Sequence, residues 1–468
     1  MKLGVKELSK AINGKIVSGN LKSIINRISI DSRTIDKGDF FIPLLGEQKD
    51  GHLFIEEALS KGAIGFLSSK KQNKFNFKKE VDSEKIIILV EDTQVALEEL
   101  AKYVRRRSNY EVVGITGSVG KTVTKEIIVS VLNQKYKVGY APGNYNTEIG
   151  VPLTILLYND DIQILILELA MRGFNQITRL AEICKPKIGV MTMINNTHIE
   201  FLKTIKNIVK AKSELIKAIP KNGITILYRD DKWYPSFLSI SNSKVIDYGL
   251  SSNSQVLAKD IILDEMARPK FKLCYQNRET EVNLPVTGDQ YVLNSLAAAA
   301  VGISYGLSLN QIKEGLESVK PFKMRMEIRK GKKGILLIND SYNANPTSAK
   351  AAIKVLSYLK QKKKGRSIAI LGDMLELGRL SKTSHISIGK FIADQKVDLL
   401  ITRGKNAEII SEAALSNGIS KDRVYHFFSN KEIKENILDL IKPKDIVLVK
   451  ASRAMAFDDI ADFLTVEN

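Results

Sequence analysis

From Glu111 onward the chain alternates between two hydrophobic patterns. Apolar runs such as "VVGIT", "IQILILEL", "KIGVMTMI" and "ITILYR" are separated by stretches whose apolar positions recur at helical spacing. Unbroken runs of that length suit buried parallel strands, and their alternation with helices predicts a doubly wound, mostly parallel α/β sheet. Near Lys320 and Pro321, after the alanine-rich helix "NSLAAAAVGISYGL", the pattern restarts with "GILLIND", "SIAILGDM", "VDLLITRG" and "DIVLVKAS". The stretch before Glu111 differs. It holds short strands and turns, then one amphipathic helix, "TQVALEELAKYVRRR". The expectation is an α/β protein of three domains. A smaller N-terminal α/β domain occupies 1–107, a central P-loop-type domain 108–319, and a Rossmann-like α/β domain 320–468. The 468 residues are too many for one ordinary core, and roughly three domains is the natural division of such a length.

The first candidate chemistry lies in "VVGITGSVGKTVTKEIIVSVL", Val112 to Leu132. A Walker A loop reads G-x-x-x-x-G-K-[ST]. Counting back from Gly120, Lys121 and Thr122, its first glycine would fall at Ile115, whereas the glycines stand at Gly114 and Gly117. The setting is nevertheless that of a phosphate loop. An apolar strand precedes it, and in the helix that follows Val123, Ile127, Ile128, Val131 and Leu132 share one face. Unpaired N–H groups and the helix dipole favour an anion at that end. Gly117 and Gly120 let the backbone approach phosphate, Lys121 supplies a point charge, and Thr122 a hydroxyl for Mg²⁺. Thr116, Ser118 and Val119 complete the loop. The bland alternative, a glycine turn that merely starts a helix, does not account for the Gly-Lys-Thr triplet.

Composition narrows the class without naming it. A 44% hydrophobic and 26% charged chain is that of a soluble globular protein. The opening "MKLGVKELSKAINGK" has no apolar core of a signal peptide, and no apolar run is long enough to span a bilayer. The expectation is a cytoplasmic protein with no membrane insertion. Cys184 and Cys274 fit no pairing or metal-ligand spacing and read as packing residues. The net charge of +19 invites a nucleic-acid partner. The basic residues are spread along the whole chain, however, apart from short runs ("KKQNKFNFKK", "KQKKKGR"), and no nucleic-acid motif accompanies them. Solvated lysine-rich faces, or a cleft for a polyanionic small substrate, account for the charge.

The seven-residue loop "TGSVGKT" resembles the T-G-[ST]-x-G-K-[ST] loop of the Mur ligases, the ATP-dependent amide-forming enzymes of peptidoglycan synthesis. "GNYNTEIGVPLT" (Gly143 to Thr154), "LEL" ending at Leu169, "NNTHIEFL" and "KAKSELI" recur in the family's order. "NDSYNANPTS" (Asn339 to Ser348) resembles the signature of the branch that adds D-alanyl-D-alanine. "LGDMLELG" (Leu371 to Gly378), "VLVKASRAM" (Val447 to Met455) and "DSRTIDKGDFFIPLLGEQKDGHLFI" agree with that branch. The resemblance covers nearly the whole chain. It departs from the family pattern at Ala170, where glycine is usual, and at Gln290 and Tyr291, which replace a His-Asn pair.

The residues and the resemblance together suggest roles. Glu168 ends a nearly all-apolar strand, where an unpaired buried carboxylate is costly. At the carboxyl end of a doubly wound sheet it would face the ligand crevice, and Mg²⁺ is its natural partner. His198 follows another apolar strand, a place where a lone histidine is more often structural. The resemblance implies that it binds a second Mg²⁺. Lys212, by composition one more solvated helix lysine, is implied to react with CO₂ and bind metal as a carbamate; Lys210 would point elsewhere. Asn294 is the adenine contact that remains. Asp340, Tyr342, Asn343 and Asn345 are implied to meet the base and ribose of ATP, and Arg325 its phosphates. Lys450, Ser452 and Arg453 are expected near the incoming dipeptide or the phosphates. Asn144, Asn146 and Thr147 are assigned to substrate, and Ser32, Arg33, Asp50 and His52 to the uridine diphosphate end. The implied catalytic set is Lys121, Glu168, His198 and Lys212. Thr122, Glu168, His198 and Lys212 are the metal donors, with ATP and two Mg²⁺ as cofactors. The implied substrates are a UDP-N-acetylmuramoyl tripeptide and D-alanyl-D-alanine. A monomer with no nucleic-acid partner is expected. Two rivals are a sister ligase adding another amino acid, which "SYNANP" opposes, and a P-loop motor on nucleic acid, whose coupling motifs are missing. A binding protein that has lost catalysis is opposed by Lys121, Glu168, His198 and Lys212 standing together.

Overall fold

The computed structural model describes residues 2–46, 49–69, 84–158, 161–196 and 199–466. It resolves into two compact units, one of residues 1–116, 136–189 and 214–224, the other of 117–135, 190–213 and 225–468.

In the first unit a five-stranded sheet runs in the order Lys15–Ser18, Ile86–Val90, Gly65–Ser69, Phe40–Phe41, Ile28–Ser29, parallel except at its first pair. The helix Thr93–Arg107 starts where Asp92 accepts hydrogen bonds from the Gln94 and Val95 N–H groups, and its last turn carries Arg105, Arg106 and Arg107 against the helix dipole. Its buried face, Ala96, Leu97 and Leu100, joins Phe40, Ile86 and Ile88 in one core. In the same unit the strand Glu111–Thr116 pairs in parallel with Ile164–Glu168, which pairs with Val138–Tyr140. The register sets Glu168 beside Ile115, so the carboxylate sits where the neighbouring strand is about to leave the sheet.

The second unit opens with the helix Lys121–Leu132, and all five residues expected on its apolar face are buried. The helices Gln290–Ser304 and Leu309–Glu317 pack on it. A Cβ on Gly315 would come 2.5 Å from the Val131 backbone, so glycine there sets how close the helices lie. Beyond the expected parallel pattern the unit carries a meander. Lys244–Gly249 is parallel to Val256–Leu263, which pairs antiparallel with Pro269–Tyr275, and that with Arg278–Asn283. These strands are only partly buried, so their buried residues are interspersed with partly or fully exposed ones instead of forming apolar runs. Residues 327–450 build a six-stranded sheet, ordered Glu327–Lys330, Leu336–Asn339, Ile446–Lys450, Ser367–Gly372, Leu399–Arg403, Val424–Phe427 and parallel after the first pair. Each apolar run read from the sequence in this part became one of its parallel strands. Cys184 and Cys274 are buried and free. Burial pushes the Cys184 thiol up to about 12, which makes it a packing residue and not a nucleophile.

His385, in the helix Ser381–Asp394, is fully buried. Its Nδ1 faces the Ser381 carbonyl at 2.7 Å and its Nε2 accepts the Met374 N–H at 3.1 Å, so the neutral ring satisfies both partners. Burial lowers its pKa, against opposing pulls from the Ser381 carbonyl and Asp373. Below pH 6.5, the ordinary value, the unfolded chain takes up a proton that the folded chain refuses. Stability therefore falls as pH drops, until the folded ring titrates in turn. Thermal melts from pH 7.5 to 5 should lose less midpoint in His385→Gln than in the wild type. Parallel losses would show that this ring does not carry the dependence.

Candidate functional site

In the second unit the loop 117–120 is fixed by close approach. Gly117 has φ +146°, and a Cβ there would lie 1.8 Å from Thr192 Oγ1. Gly120, at φ +89°, starts the helix Lys121–Leu132 and leaves its end without a capping side chain. Between them the Ser118 N–H donates to the Met193 carbonyl at 2.9 Å, and the Ser118 hydroxyl to the Asn195 carbonyl at 2.9 Å. Lys121 curls over the loop, with Nζ 3.0 Å from the Gly117 carbonyl. The result is a small ring of backbone at a helix N-terminus with an ammonium above it, an arrangement that receives a phosphate. Asn294 braces it. Its Nδ2 donates to the Gly120 carbonyl at 3.3 Å and to Thr124 Oγ1 at 2.8 Å.

The same unit gathers much of the remaining set. Asn345 caps the helix Pro346–Lys363 by accepting the Ser348 N–H, and Pro346 occupies the first helical position. Asn195 donates to the Thr347 hydroxyl in that first turn. Asp340 is mostly buried, and Lys450 Nζ lies 2.6 Å from its Oδ2. Arg325 stacks on Tyr342, its guanidinium carbon 3.9 Å from the ring centroid. Ser452 ties two loops together by accepting the Leu375 N–H at 2.8 Å and donating its own N–H to the Asp373 carbonyl. Arg453 is exposed and paired with Asp458. In the helix Ile205–Ala218, Lys212 is 1% exposed while Lys210 faces solvent. His198 lies outside the described residues.

In the first unit Glu168 is 4% exposed and accepts a 3.0 Å hydrogen bond from Asn146 Nδ2. Thr116 donates its hydroxyl to the Leu169 carbonyl. Thr147 lies at the start of the helix Gly150–Leu157, 3.5 Å from the Gly150 N–H, and the exposed Asn144 gives its carbonyl to the Asn146 N–H. Asp50 accepts from His52 Nδ1 at 2.7 Å, and His52 Nε2 accepts the Ser69 N–H. Ser32 donates to Glu57 at 2.7 Å. Arg33 grips Asp31, which holds that carboxylate below the usual range.

Three family models match. "Mur ligase family, catalytic domain" covers residues 24–105, "Mur ligase middle domain" 115–302, and "Mur ligase, glutamate ligase domain" 324–453. The chain is 32% identical to the UDP-N-acetylmuramoyl-tripeptide–D-alanyl-D-alanine ligase of Bacillus subtilis, covering 98% of both chains. It is 33% identical, with the same coverage, to the ligase of that name from Buchnera aphidicola. Its fold matches a MurF crystal structure from Acinetobacter baumannii with TM-score 0.87 at 27% identity, over 99% of both chains. MurF of Thermotoga maritima in complex with ADP matches at TM-score 0.79 and 29% identity, covering 94% of this chain and 96% of that one.

The chain belongs to the Mur ligase family.

Within this Mur ligase, several motif positions turn out to do structural work that the sequence did not announce. Asn345 is a helix cap, Asn294 a brace on the glycine loop, and Ser452 a link between loops. Lys450, expected beside substrate, has its ammonium on Asp340. Other contributors were missed. Thr192 has no motif of its own, yet it leaves no room for a Cβ on Gly117. Asp373 lay inside "LGDMLELG", and its Oδ1 accepts the Asn406 and Ala407 N–H groups at 3.0 and 2.7 Å. The run "KQKKKGR" is partly neutralised, with Lys360 on Asp398, Lys363 on Glu265 and Arg366 on Asp445. "KKQNKFNFKK" lies outside the described residues.

Gly117→Ala adds a Cβ that meets Thr192 and an unfavourable φ, together costing at least about 2 kcal/mol. Its thermal midpoint should fall and its ATP affinity with it, and Thr192→Ala should recover part of the stability. A variant that melts and binds nucleotide like the wild type would show that the loop has room to spare.

Proposed function

We propose that this Mur ligase joins D-alanyl-D-alanine to the terminal carboxylate of a UDP-N-acetylmuramoyl tripeptide, using ATP, in peptidoglycan precursor synthesis. What carries the reading is the end-to-end match to relatives bearing that ligase name; a phosphate-receiving glycine loop accompanies it. ATP phosphorylates the tripeptide carboxylate to an acyl phosphate. The dipeptide amine then attacks the acyl carbon, phosphate leaves, and the amine loses its proton. Phosphoryl transfer needs positioning and charge neutralisation above all. Lys121 and the helix end beside it offer both to the ATP phosphates. Arg325, close to the Asp340–Asn345 loop, is assigned to the same phosphates, and Asp340, Tyr342, Asn343 and Asn294 to the nucleoside. Asn144, Asn146, Thr147, Ser452 and Arg453 are assigned to the peptide substrates, and Ser32, Arg33, Asp50 and His52 to the uridine diphosphate. We divide the chain at 1–107, 108–319 and 320–468, in keeping with family-model boundaries at 24–105, 115–302 and 324–453.

The donor set suits Mg²⁺. Glu168 brings a buried carboxylate with one oxygen oriented by Asn146, Thr122 a hydroxyl, and His198 an imidazole. Among the described residues no three His, Cys, Asp or Glu side chains gather as a metal cluster. A site completed by phosphate oxygens and by a carbamate needs none. Bound Mg²⁺ supplies charge neutralisation for the phosphates. Lys212 would join this set by adding CO₂ at Nζ with loss of a proton. The change turns a cation that repels metal into an oxygen donor, and a buried lysine suits it better than a solvated one. Among the described residues no helix is long and apolar enough to cross a membrane. We place the enzyme in the cytoplasm, as a monomer acting on small molecules.

Phosphate release from ATP should require the tripeptide nucleotide and D-alanyl-D-alanine together. ATPase activity driven by DNA or RNA alone would sink the reading. Lys212→Ala should lose at least about 100-fold in kcat/KM while Lys210→Ala stays near wild type. Labelling with ¹³C-bicarbonate should give a carbamate signal that Lys212→Ala lacks. A signal that survives in that variant would move the modification to another lysine.

A further inference from the structure

The linker after Pro321 is held in a shape that its residues resist. Met324 and Met326 have φ of +57° and +51°, a left-handed region that L-residues with long side chains avoid. Such a bend persists only where its surroundings over-determine it, and here the anchors come from several sides. Asp340 Oδ1 accepts the Met326 N–H at 3.1 Å. Glu327 Oε2 accepts the Met324 N–H at 2.9 Å, and the Met324 carbonyl accepts the Tyr342 N–H at 3.1 Å. Tyr291 donates its hydroxyl to the Arg325 carbonyl at 3.0 Å, and its ring meets Phe322 edge-on at 5.4 Å. Burial raises the Tyr291 pKa, so the hydroxyl stays a donor.

Lys450 stands behind this arrangement. It is 2% exposed, and its ammonium is committed to Asp340 Oδ2 at 2.6 Å and to the Asn343 carbonyl at 2.9 Å. One carboxylate therefore holds the linker with one oxygen and Lys450 with the other. Between the two bent methionines, Arg325 is delivered onto the Tyr342 ring.

We propose that Lys450 is a positioning residue, not a substrate contact: through Asp340 it locks the 322–326 linker and the 340–345 loop into one body, with Tyr291 clamping the linker from the helix Gln290–Ser304. The lock presents Arg325 and the loop together, so the consequence for ATP rests on the function proposed above, whereas the lock itself does not. This also gives Tyr291, one of the positions that depart from the family pattern, a task that the usual residue pair would not perform in the same way.

Amide hydrogen exchange without any substrate tests the lock, and kinetics test its use. Tyr291→Phe removes only the hydroxyl, so the protein should fold normally and exchange faster across residues 320–330. Its KM for ATP should rise about tenfold while the KM for D-alanyl-D-alanine holds. Lys450→Met should speed exchange in both 320–330 and 340–346, and Lys450→Arg should restore most of the protection. If Lys450→Met fails to fold, Lys450→Met with Asp340→Asn removes both charges and takes its place. Wild-type exchange in these variants, or a rise confined to the KM for either peptide substrate, would overturn the proposal. A wild-type protein that fails the two-substrate assay would instead sink the function and leave the exchange result standing.

Discussion

No side chain fits at position 117, and much of the second unit follows from that. A Cβ at this position would stand only 1.8 Å from Thr192 Oγ1, so the backbone of the loop touches the segment 192–195 directly. That contact lets Met193 and Asn195 take the hydrogen bonds of Ser118. The loop is thus shaped by main chain instead of by flexible side chains, and Gly120 completes it with a second left-handed turn. The spacing that departs from Walker A is therefore a shorter loop made rigid by close packing. A ring of backbone that is already in place would give up little conformational freedom to an anion placed there.

Buried charge is the second organising cost. Glu168, Lys212, Asp340 and Lys450 are each less than 10% exposed. Desolvating such groups is offset only by close partners, and a buried pair adds little net stability while fixing geometry. Lys450 and Asp340 answer each other, whereas Glu168 is oriented by the neutral amide of Asn146. Such contacts fix where each charge sits within its own unit.

The sequence was most legible where burial on both faces left no choice. The runs "VVGIT", "IQILILEL", "SIAILGDM" and "DIVLVKAS" became parallel strands because such strands tolerate few polar residues. The antiparallel meander from Val256 to Asn283 was not read, since its half-exposed strands carry Lys259, Asp260, Lys270 and Lys272 among their apolar residues. The glycine loop was legible from its triplet and its place between strand and helix, but its partner Thr192 was not, because contact between distant segments leaves no local mark. Burial of lysines was equally invisible. Lys212 and Lys450 look like Lys210 in composition, and only the helix face of one and the strand end of the other set them apart.

Signature residues here also hold the fold, and that changes how their substitution should be understood. Asn345 satisfies the first turn of an 18-residue helix, and losing such a cap costs about 1 kcal/mol before any ligand is considered. Asn294 holds the start of the helix behind the glycine loop, so its removal would loosen that turn. Ser452 joins the loops at Asp373 and Leu375, and His52 bridges Asp50 and Ser69. In each case a loss of activity would report displaced backbone as readily as a lost contact. Residues whose polar groups are spent on the protein position the chemistry. Arg33 and Arg453 differ from these, because their side chains stay largely exposed beside their carboxylate partners.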